Sequence, residues 1–420
     1  MNKKISEYLI IFFLLIFSLY CSLTVGASWD EFYHYKNGEN IFNYIFSFGL
    51  REYQSANFRF HYGLYDFLSS FFSKNFSQSL IVESHHVFNL IFSISSVYAI
   101  YQISKLLFNR NIAKISFLLC FLNPIYFGHF SINPKDTIIA FSYSWIFYSV
   151  LKYFKNIENQ KKKLNHVIFL TLLLTLGLSI RLTFLISLIP IFIIFLFETF
   201  KLIKLKKKIN FLFFDFSMIL LCSFILTVVF WPDTHNDIFF DPFIYINKYF
   251  LNFFDSSFGL PYGLINGIFY EIQNTPSYYF FLSLYHKMPI YIILSFFTSL
   301  FLIFNKKFRT IFIKDNNFIY IYINIIFLFL ILLIIKPGIN DGIRYFLYII
   351  PYFLIVSSLA IYYVFIYSNL ILKSALIGLI SYNLLIFFSL TPYQYIFINN
   401  LNDKFENNLN KYEIDYWGTS

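Results

Sequence analysis

Charge is scarce in this chain. Asp, Glu, Lys and Arg make up 13% of its 420 residues, against about a quarter in a soluble domain, which argues for a membrane protein. Cysteine is nearly missing too: Cys21, Cys120 and Cys222 each lie inside an apolar run. Without a Cys-x-x-Cys pair, neither a structural zinc nor a disulfide scaffold is implied. No Gly-rich phosphate loop, Ser-His-Asp arrangement or metal triad stands out, and there is no internal repeat or Gly- or Ser-rich linker. The missing repeat lowers the expectation of a secondary transporter built from inverted halves.

Hydrocarbon is what the chain has in plenty. It is 58% hydrophobic and 24% aromatic, with 61 Phe and 35 Tyr. The Phe content reflects a drift across the whole chain, so single Phe residues in spans say little about function. A bilayer-crossing helix needs ~20 mostly apolar residues. Eleven segments are candidates: 7–26, 86–104, 112–130, 137–154, 164–180, 182–200, 210–231, 289–304, 318–336, 345–366 and 373–391. His166 to Glu198 is too long for one span, because at ~1.5 Å per residue it would reach about 50 Å against ~30 Å of hydrocarbon. Gly177 and Arg181 interrupt it, so it is read as a hairpin with Arg181 at the tip. The first segment follows Lys3 and Lys4 and exceeds the ~7–15 apolar residues of a signal core, so it is read as a retained span. The expected fold is an all-α integral membrane bundle over 1–391 with a short tail, 392–420.

A formal net charge of +10 suggests nucleic acid, but its distribution argues otherwise. With the N-terminus cytoplasmic, the short inner loops collect the runs Lys161-Lys162-Lys163 and Lys206-Lys207-Lys208 with most other Lys and Arg. Lys and Arg in short loops mark the cytoplasmic side. These runs are therefore topology signals near membrane lipid, and no nucleic acid partner is expected. Most acids fall outside, on two long loops, 27–85 and 232–288, and on the tail. Ile41 to Leu50 and Tyr62 to Phe72 are too short to span and read as helices lying in the interface.

The outer charged residues are few enough to weigh singly. Asp30 and Glu31 follow the first span beside Trp29, Tyr33, His34 and Tyr35. They read equally well as a solvated pair or as a reaction centre in which a partly desolvated carboxylate takes a proton from a hydroxyl. Asn133-Pro134-Lys135-Asp136 is an ordinary helix start, yet Lys135 at a helix N-terminus also offers a phosphate a cation and free N–H groups. Arg181 and Arg344 could simply snorkel, or could grip phosphate with their forked guanidinium groups. His286 and Lys287, before Met288-Pro289, are further cationic candidates. Asp30, Glu31 and His34 have side chains of the type that hold a divalent ion, at an unspecific spacing.

In this order the motifs resemble a known family. The acidic pair, Asn-Pro-Lys-Asp, Arg181-Leu182-Thr183-Phe184, His286-Lys287-Met288-Pro289 and Gly342-Ile343-Arg344-Tyr345 are similar to those of bacterial polyprenyl-phosphate-dependent glycosyltransferases of the GT-C class. That class includes relatives of the dolichyl-phosphate-mannose–protein mannosyltransferases. Thr391-Pro392-Tyr393 and Tyr412 to Gly418 resemble the ending of one bacterial subgroup. The resemblance implies a bacterial inner-membrane enzyme with an extracytoplasmic site and C-terminus. It would move a sugar, with inversion, from a polyprenyl-phosphate donor to a lipid, glycan or protein acceptor. By motif match Asp30 is the base and Glu31 its neighbour. Lys135, Arg181 and Arg344 as phosphate ligands, with His34, Asp136, His286 and Lys287 beside them, follow from electrostatics. A flippase for lipid-linked saccharides is the rival reading. It needs ionisable residues inside the spans, which only Glu198 and Asp215 approach. A non-enzymatic scaffold is the second rival.

Overall fold

The computed structural model describes residues 3–53, 63–207, 209–254, 262–313, 317–335, 338–399 and 411–420. Tyr62 and Lys208, both named above, lie outside the described residues.

Helices α1 (Lys3–Thr24), α2 (Glu31–Phe46), α3 (Leu64–Ser73), α4 (Ile81–Leu107), α5 (Arg110–Phe121), α6 (Pro124–Gly128), α7 (Asp136–Lys155) and α8 (Gln160–Leu178) form the N-terminal part. The rest comprises α9 (Phe184–Ser187), α10 (Ile189–Lys204), α11 (Asn210–Val229), α12 (Asp241–Phe254), α13 (Tyr279–Lys287), α14 (Ile290–Leu302), α15 (Lys306–Phe312), α16 (Asn317–Ile335), α17 (Ile350–Tyr367) and α18 (Leu370–Ser389). Asparagine opens the helices at the lysine-rich end. The side chains of Asn109, Asn159, Asn305 and Asn369 accept backbone N–H bonds from the first turns of α5, α8, α15 and α18, replacing partners a first turn lacks.

Six helices are long and apolar enough to cross a bilayer alone, and α13 with α14 adds a seventh only across a 117° bend, counting the described residues. All eleven expected spans fall on helices, but the count of eleven depends on α5, α7, α8 and α10. Asn123-Pro124 separates α5 from α6, α8 opens on a lysine run, and α10 has 16 residues. The centre of the bundle is α17, buried from Ile350 to Ile361 and packed on α5, α14 and α16. Helices α4, α7 and α8 pack side by side, and small polar groups join α4 to α6 and α5 to α17. Ser96 and Tyr126 hydroxyls meet at 2.7 Å, as do Ser116 and Ser358 at 2.9 Å. In lipid, close packing and such bonds hold helices together where burial from water does not. By contrast α1, α11 and α18 leave Leu9, Phe12, Phe213, Leu221, Ile371 and Leu385 exposed, as suits a face turned to hydrocarbon.

The two stretches expected to lie in the interface overlap helices with shifted bounds, α2 and α3, packed on one another. Gly38 permits this approach: a methyl there would lie 2.2 Å from the Asp66 carbonyl oxygen. One element departs from an all-α reading. Strands β1 (Tyr262–Ile265) and β2 (Ile268–Glu271) form an antiparallel hairpin. Its turn is Asn266-Gly267, both at positive φ, the conformation that hairpin turns favour. The chain end joins it, with Ile265 bridging Tyr412 and Gly267 N–H donating to the Lys411 carbonyl.

Candidate functional site

At the end of the bundle opposite the lysine runs, five chain segments meet: the α1–α2 turn, the α6–α7 loop, the α8–α9 turn, the loop before α17, and the tail. Asp30 stands just before α2 without capping it. Instead its Oδ2 meets Lys135 Nζ at 3.0 Å. Burial alone would raise this carboxyl, but the Lys135 ammonium, with His34 and Arg344 further off, outweighs it and holds Asp30 below the usual carboxylate range. Burial likewise lowers Lys135, partly offset by Asp30. Asp30 is thus ionised at neutral pH and already engaged.

The neighbouring Asp136 is 2% exposed and holds both arginines. Arg181 Nη1 lies 3.0 Å from its Oδ1 and Arg344 Nη1 4.0 Å from its Oδ2, while the Asn133 amide donates to Oδ2 at 3.0 Å. Asn133 also accepts the N–H groups of Lys135 and Asp136, so one side chain shapes the helix start and presents both charged residues. Asn133, readable from the sequence only as part of an Asx-Pro helix start, is therefore a determinant of the site.

Arg344 is the hub of the other side. Its Nε and Nη2 donate to Asp341 Oδ2 at 3.1 and 2.8 Å, Nη2 also donates to the Tyr345 hydroxyl, and the Tyr416 ring lies 3.9 Å from the guanidinium carbon. Asp341 and Gly342 both take positive φ, turning the loop so that Arg344 faces Asp136. Burial pushes the Asp341 carboxyl up to about 7 despite Arg344. Glu413 of the tail fixes the same loop, its Oε2 accepting from the Asp341 N–H and the Tyr279 hydroxyl, both at 2.6 Å. Glu413 was not foreseen, and the Asn-Gly hairpin that seats it was a readable signal.

The expected residues separate into groups. Asp30, Lys135, Asp136, Arg181 and Arg344 converge, and Lys287 stands close to Asp341 and Glu413. Glu31 turns away, its Oε2 accepting from the Ser28 N–H at 2.7 Å and its Oε1 lying 2.5 Å from His86 Nε2. His34 donates from Nδ1 to Asp66 Oδ1 at 2.7 Å, below the surface. A metal set of Asp30, Glu31 and His34 therefore does not assemble: the three side chains go to three different partners. Among the described residues no group of three His, Cys, Asp or Glu is placed to hold an ion. His286 stacks on Tyr412, ring centroids 4.2 Å apart, in an adjoining pocket. Trp29 and Tyr33 form an exposed aromatic lip, and the Trp29 indole lies against Gly418, where a methyl would sit 2.4 Å from its Nε1.

Comparison with known proteins bears on this arrangement. Residues 66–250 match the family model of the dolichyl-phosphate-mannose-protein mannosyltransferases, a stretch that includes Lys135, Asp136 and Arg181. No curated protein gives a significant match. Among solved structures, ArnT from Cupriavidus metallidurans bound to undecaprenyl phosphate is similar at TM-score 0.59 and 10% identity, over 86% of this chain and 60% of that one. Its apo state gives 0.56 and 11% over the same shares. The oligosaccharyltransferase AglB from Archaeoglobus fulgidus, in complex with an inhibitory peptide and a dolichol-phosphate, gives 0.51 and 13% over 99% and 60%. The chain spans 60% of the length of these structures. The chain thus shares the fold of these multi-pass membrane proteins, and 185 of its 420 residues match the mannosyltransferase family model.

Proposed function

We propose that this chain moves a sugar from a polyprenyl-phosphate donor to an acceptor hydroxyl, with inversion, at the non-cytoplasmic surface of the membrane. The observation that carries the reading is Asp30, an ionised carboxylate 3.0 Å from the ammonium of Lys135, with Arg181 and the buried Arg344 on the neighbouring Asp136.

Asp30 removes the proton from the acceptor hydroxyl as its oxygen attacks the anomeric carbon. The bond from that carbon to the phosphate oxygen breaks, and the phosphate leaves with the electron pair. A polyprenyl phosphate is already a good leaving group, so no general acid is required. Lys135, Arg181 and Arg344 face the charge that develops on it, the place where fixed cations lower a barrier most. Each cation is held by a carboxylate. A donor phosphate that draws the Lys135 ammonium toward itself also releases Asp30 to accept a proton. Glu31 supports the turn that carries Asp30.

The charge distribution supports this side of the membrane. Lys161–Lys163 and Lys206-Lys207 lie at the opposite end, which the positive-inside rule assigns to the cytoplasm. Both ArnT and AglB have been solved with a polyprenyl-type phosphate bound, which supports the donor class. The test is mass spectrometry of envelope glycans from cells with the wild-type chain, with Asp30→Asn, and without the protein. A sugar present only with the wild type supports the reading, and identical glycans in all three contradict it.

A further inference from the structure

We propose that the lysine-rich ends of α4, α7 and α8 form a binding surface for an anionic phospholipid. Its phosphate sits among Lys105, Lys152, Lys155 and Lys162, and its acyl chains lie along a ladder of aromatic rings between α4 and α7. The inference is independent of the glycosyltransferase reading and needs only that this end of the bundle meets a lipid leaflet.

The four lysines come from three helices that pack side by side. Lys105 is in the last turn of α4, Lys152 and Lys155 are in the last turn of α7, and Lys162 is in the first turn of α8. Lys105, Lys155 and Lys162 all lie near enough to Lys152 for it to feel their charges. Elsewhere at this end carboxylates hold lysines: Lys114 meets Glu7 at 2.5 Å, Lys163 meets Asp215 at 2.9 Å and Lys201 meets Glu198 at 2.8 Å. Glu158 is on the turn between Lys155 and Lys162, yet its carboxylate goes to Lys207 at 2.5 Å. Among the described residues, none of the four grouped lysines makes an ion pair or a hydrogen bond. Helix ends alone do not account for the grouping. A cation suits the last turns of α4 and α7, but the dipole of α8 repels Lys162. Like charges gathered without a counter-charge repel one another, and an anion from outside relieves that repulsion.

The rings indicate what the anion is attached to. Tyr98 and Tyr101 stack at 6.0 Å, Tyr98 lies 6.2 Å from Trp145, and Trp145 lies 5.5 Å from Tyr148. Lys105 stands 6.0 Å from the Tyr101 ring and Lys152 5.6 Å from the Tyr148 ring, so a lysine caps each end of the ladder. Tyr98 is 46% exposed, and Leu164 and Ile168 of α8 are exposed as well. The surface beside the lysines is therefore apolar. Tyrosine and tryptophan favour the boundary between headgroups and hydrocarbon, and basic pockets between helices on the cytoplasmic side take lipid phosphates. A soluble phosphate would use the ammonium groups and leave the rings bare. A zwitterionic lipid would bring its own cation among four others. Charge and apolar surface together fit an anionic diacyl lipid.

The experiment adds phosphatidylglycerol, cardiolipin, phosphatidylethanolamine, glycerol phosphate and a poly-glutamate peptide to the full chain in detergent micelles. Bound ligand is read by native mass spectrometry. Two variants lose the same charge at the same end of the bundle. One combines Lys105→Gln, Lys152→Gln, Lys155→Gln and Lys162→Gln; the other combines Lys204→Gln, Lys306→Gln, Lys307→Gln and Lys373→Gln. Phosphatidylglycerol or cardiolipin should bind the wild type at least about tenfold more tightly than phosphatidylethanolamine, lose at least about tenfold in the first variant and stay within about threefold in the second. Equal binding of the three lipids, equal loss in both variants or unchanged binding in the first overturns the proposal. So does displacement of phosphatidylglycerol by glycerol phosphate, or tighter binding of poly-glutamate. If the first variant does not fold, the wild type still decides. Phosphatidylglycerol brominated on its acyl chains should quench the fluorescence that Trp145→Phe removes, and more strongly than brominated phosphatidylethanolamine does. Equal quenching by the two lipids overturns the surface.

Discussion

Lys135 places its ammonium 3.0 Å from the Asp30 carboxylate across 105 positions of chain. The contact joins the turn after the first span to the start of α7, and each group sets the charge of the other. Replacing Lys135 with Met removes the largest influence holding Asp30 down, so burial then raises its carboxyl. Because a base must be deprotonated to work, the acid limb of the kcat/KM profile should move to higher pH. Donor KM should rise about tenfold or more through the lost cation. Transfer rates from pH 4 to 9 check both, and an unmoved acid limb argues that Lys135 does not govern Asp30.

Asp136 holds Arg181 and Arg344 from a nearly inaccessible position. Asp136→Ala leaves these guanidinium groups without a shared counter-charge, and breaking a buried pair from one side costs about 3–5 kcal/mol. Its melting temperature in detergent should fall clearly below wild type. Asp136→Asn, which keeps the shape, should fall less. Equal melting of all three forms would show that the arginines do not depend on it.

Asp341 supplies a pH dependence whose sign can be fixed in advance. Its carboxyl, pushed up to about 7 by burial, binds its proton more tightly in the folded chain than in the unfolded one, near 3.9. Its contribution to stability therefore declines as pH rises from about 4 to about 7 and is level above that. Below 7 the site also gains net positive charge while the phosphodiester donor keeps its own. Donor KM should be lower at pH 6 than at pH 8, and Asp341→Asn should flatten that difference.

Gly128 touches the tail. A methyl there would fall 2.1 Å from the Tyr395 backbone nitrogen and 2.6 Å from its Cα, atoms that cannot swing aside as a side-chain tip can. Gly128→Ala should cost about 1–3 kcal/mol by overpacking. Amide exchange should rise selectively around Tyr395 and Trp417, whose indole donates to His129. Unchanged exchange in the tail would show that this junction does not seat it.

Much of this arrangement was legible in the sequence. Apolar runs gave helices, and lysine runs marked one end of the bundle. That left Asp30, Lys135, Arg181 and Arg344 on the other end, where the fold brings them together. Pairing was not legible. Nothing in spacing says that Asp136 takes the arginines while Glu31 turns toward His86, since partners 45 or more positions apart are chosen by the fold. Glu413 was hidden for the same reason: a tail acid looks solvated until the hairpin at Asn266-Gly267 gives it a seat. The expected span count depended on apolar length, which overlooks a proline break such as Asn123-Pro124 and the bend between α13 and α14.

The central claim is that Asp30 is the base, and the most direct measurement is sugar transfer by purified Asp30→Asn with a polyprenyl-phosphate-linked donor. A lost general base costs about 10²–10⁴ in rate, so kcat should fall by that factor. Donor binding should stay within about threefold of wild type, because the phosphate is held by cations. An Asp30→Asn enzyme that turns over at the wild-type rate contradicts the account.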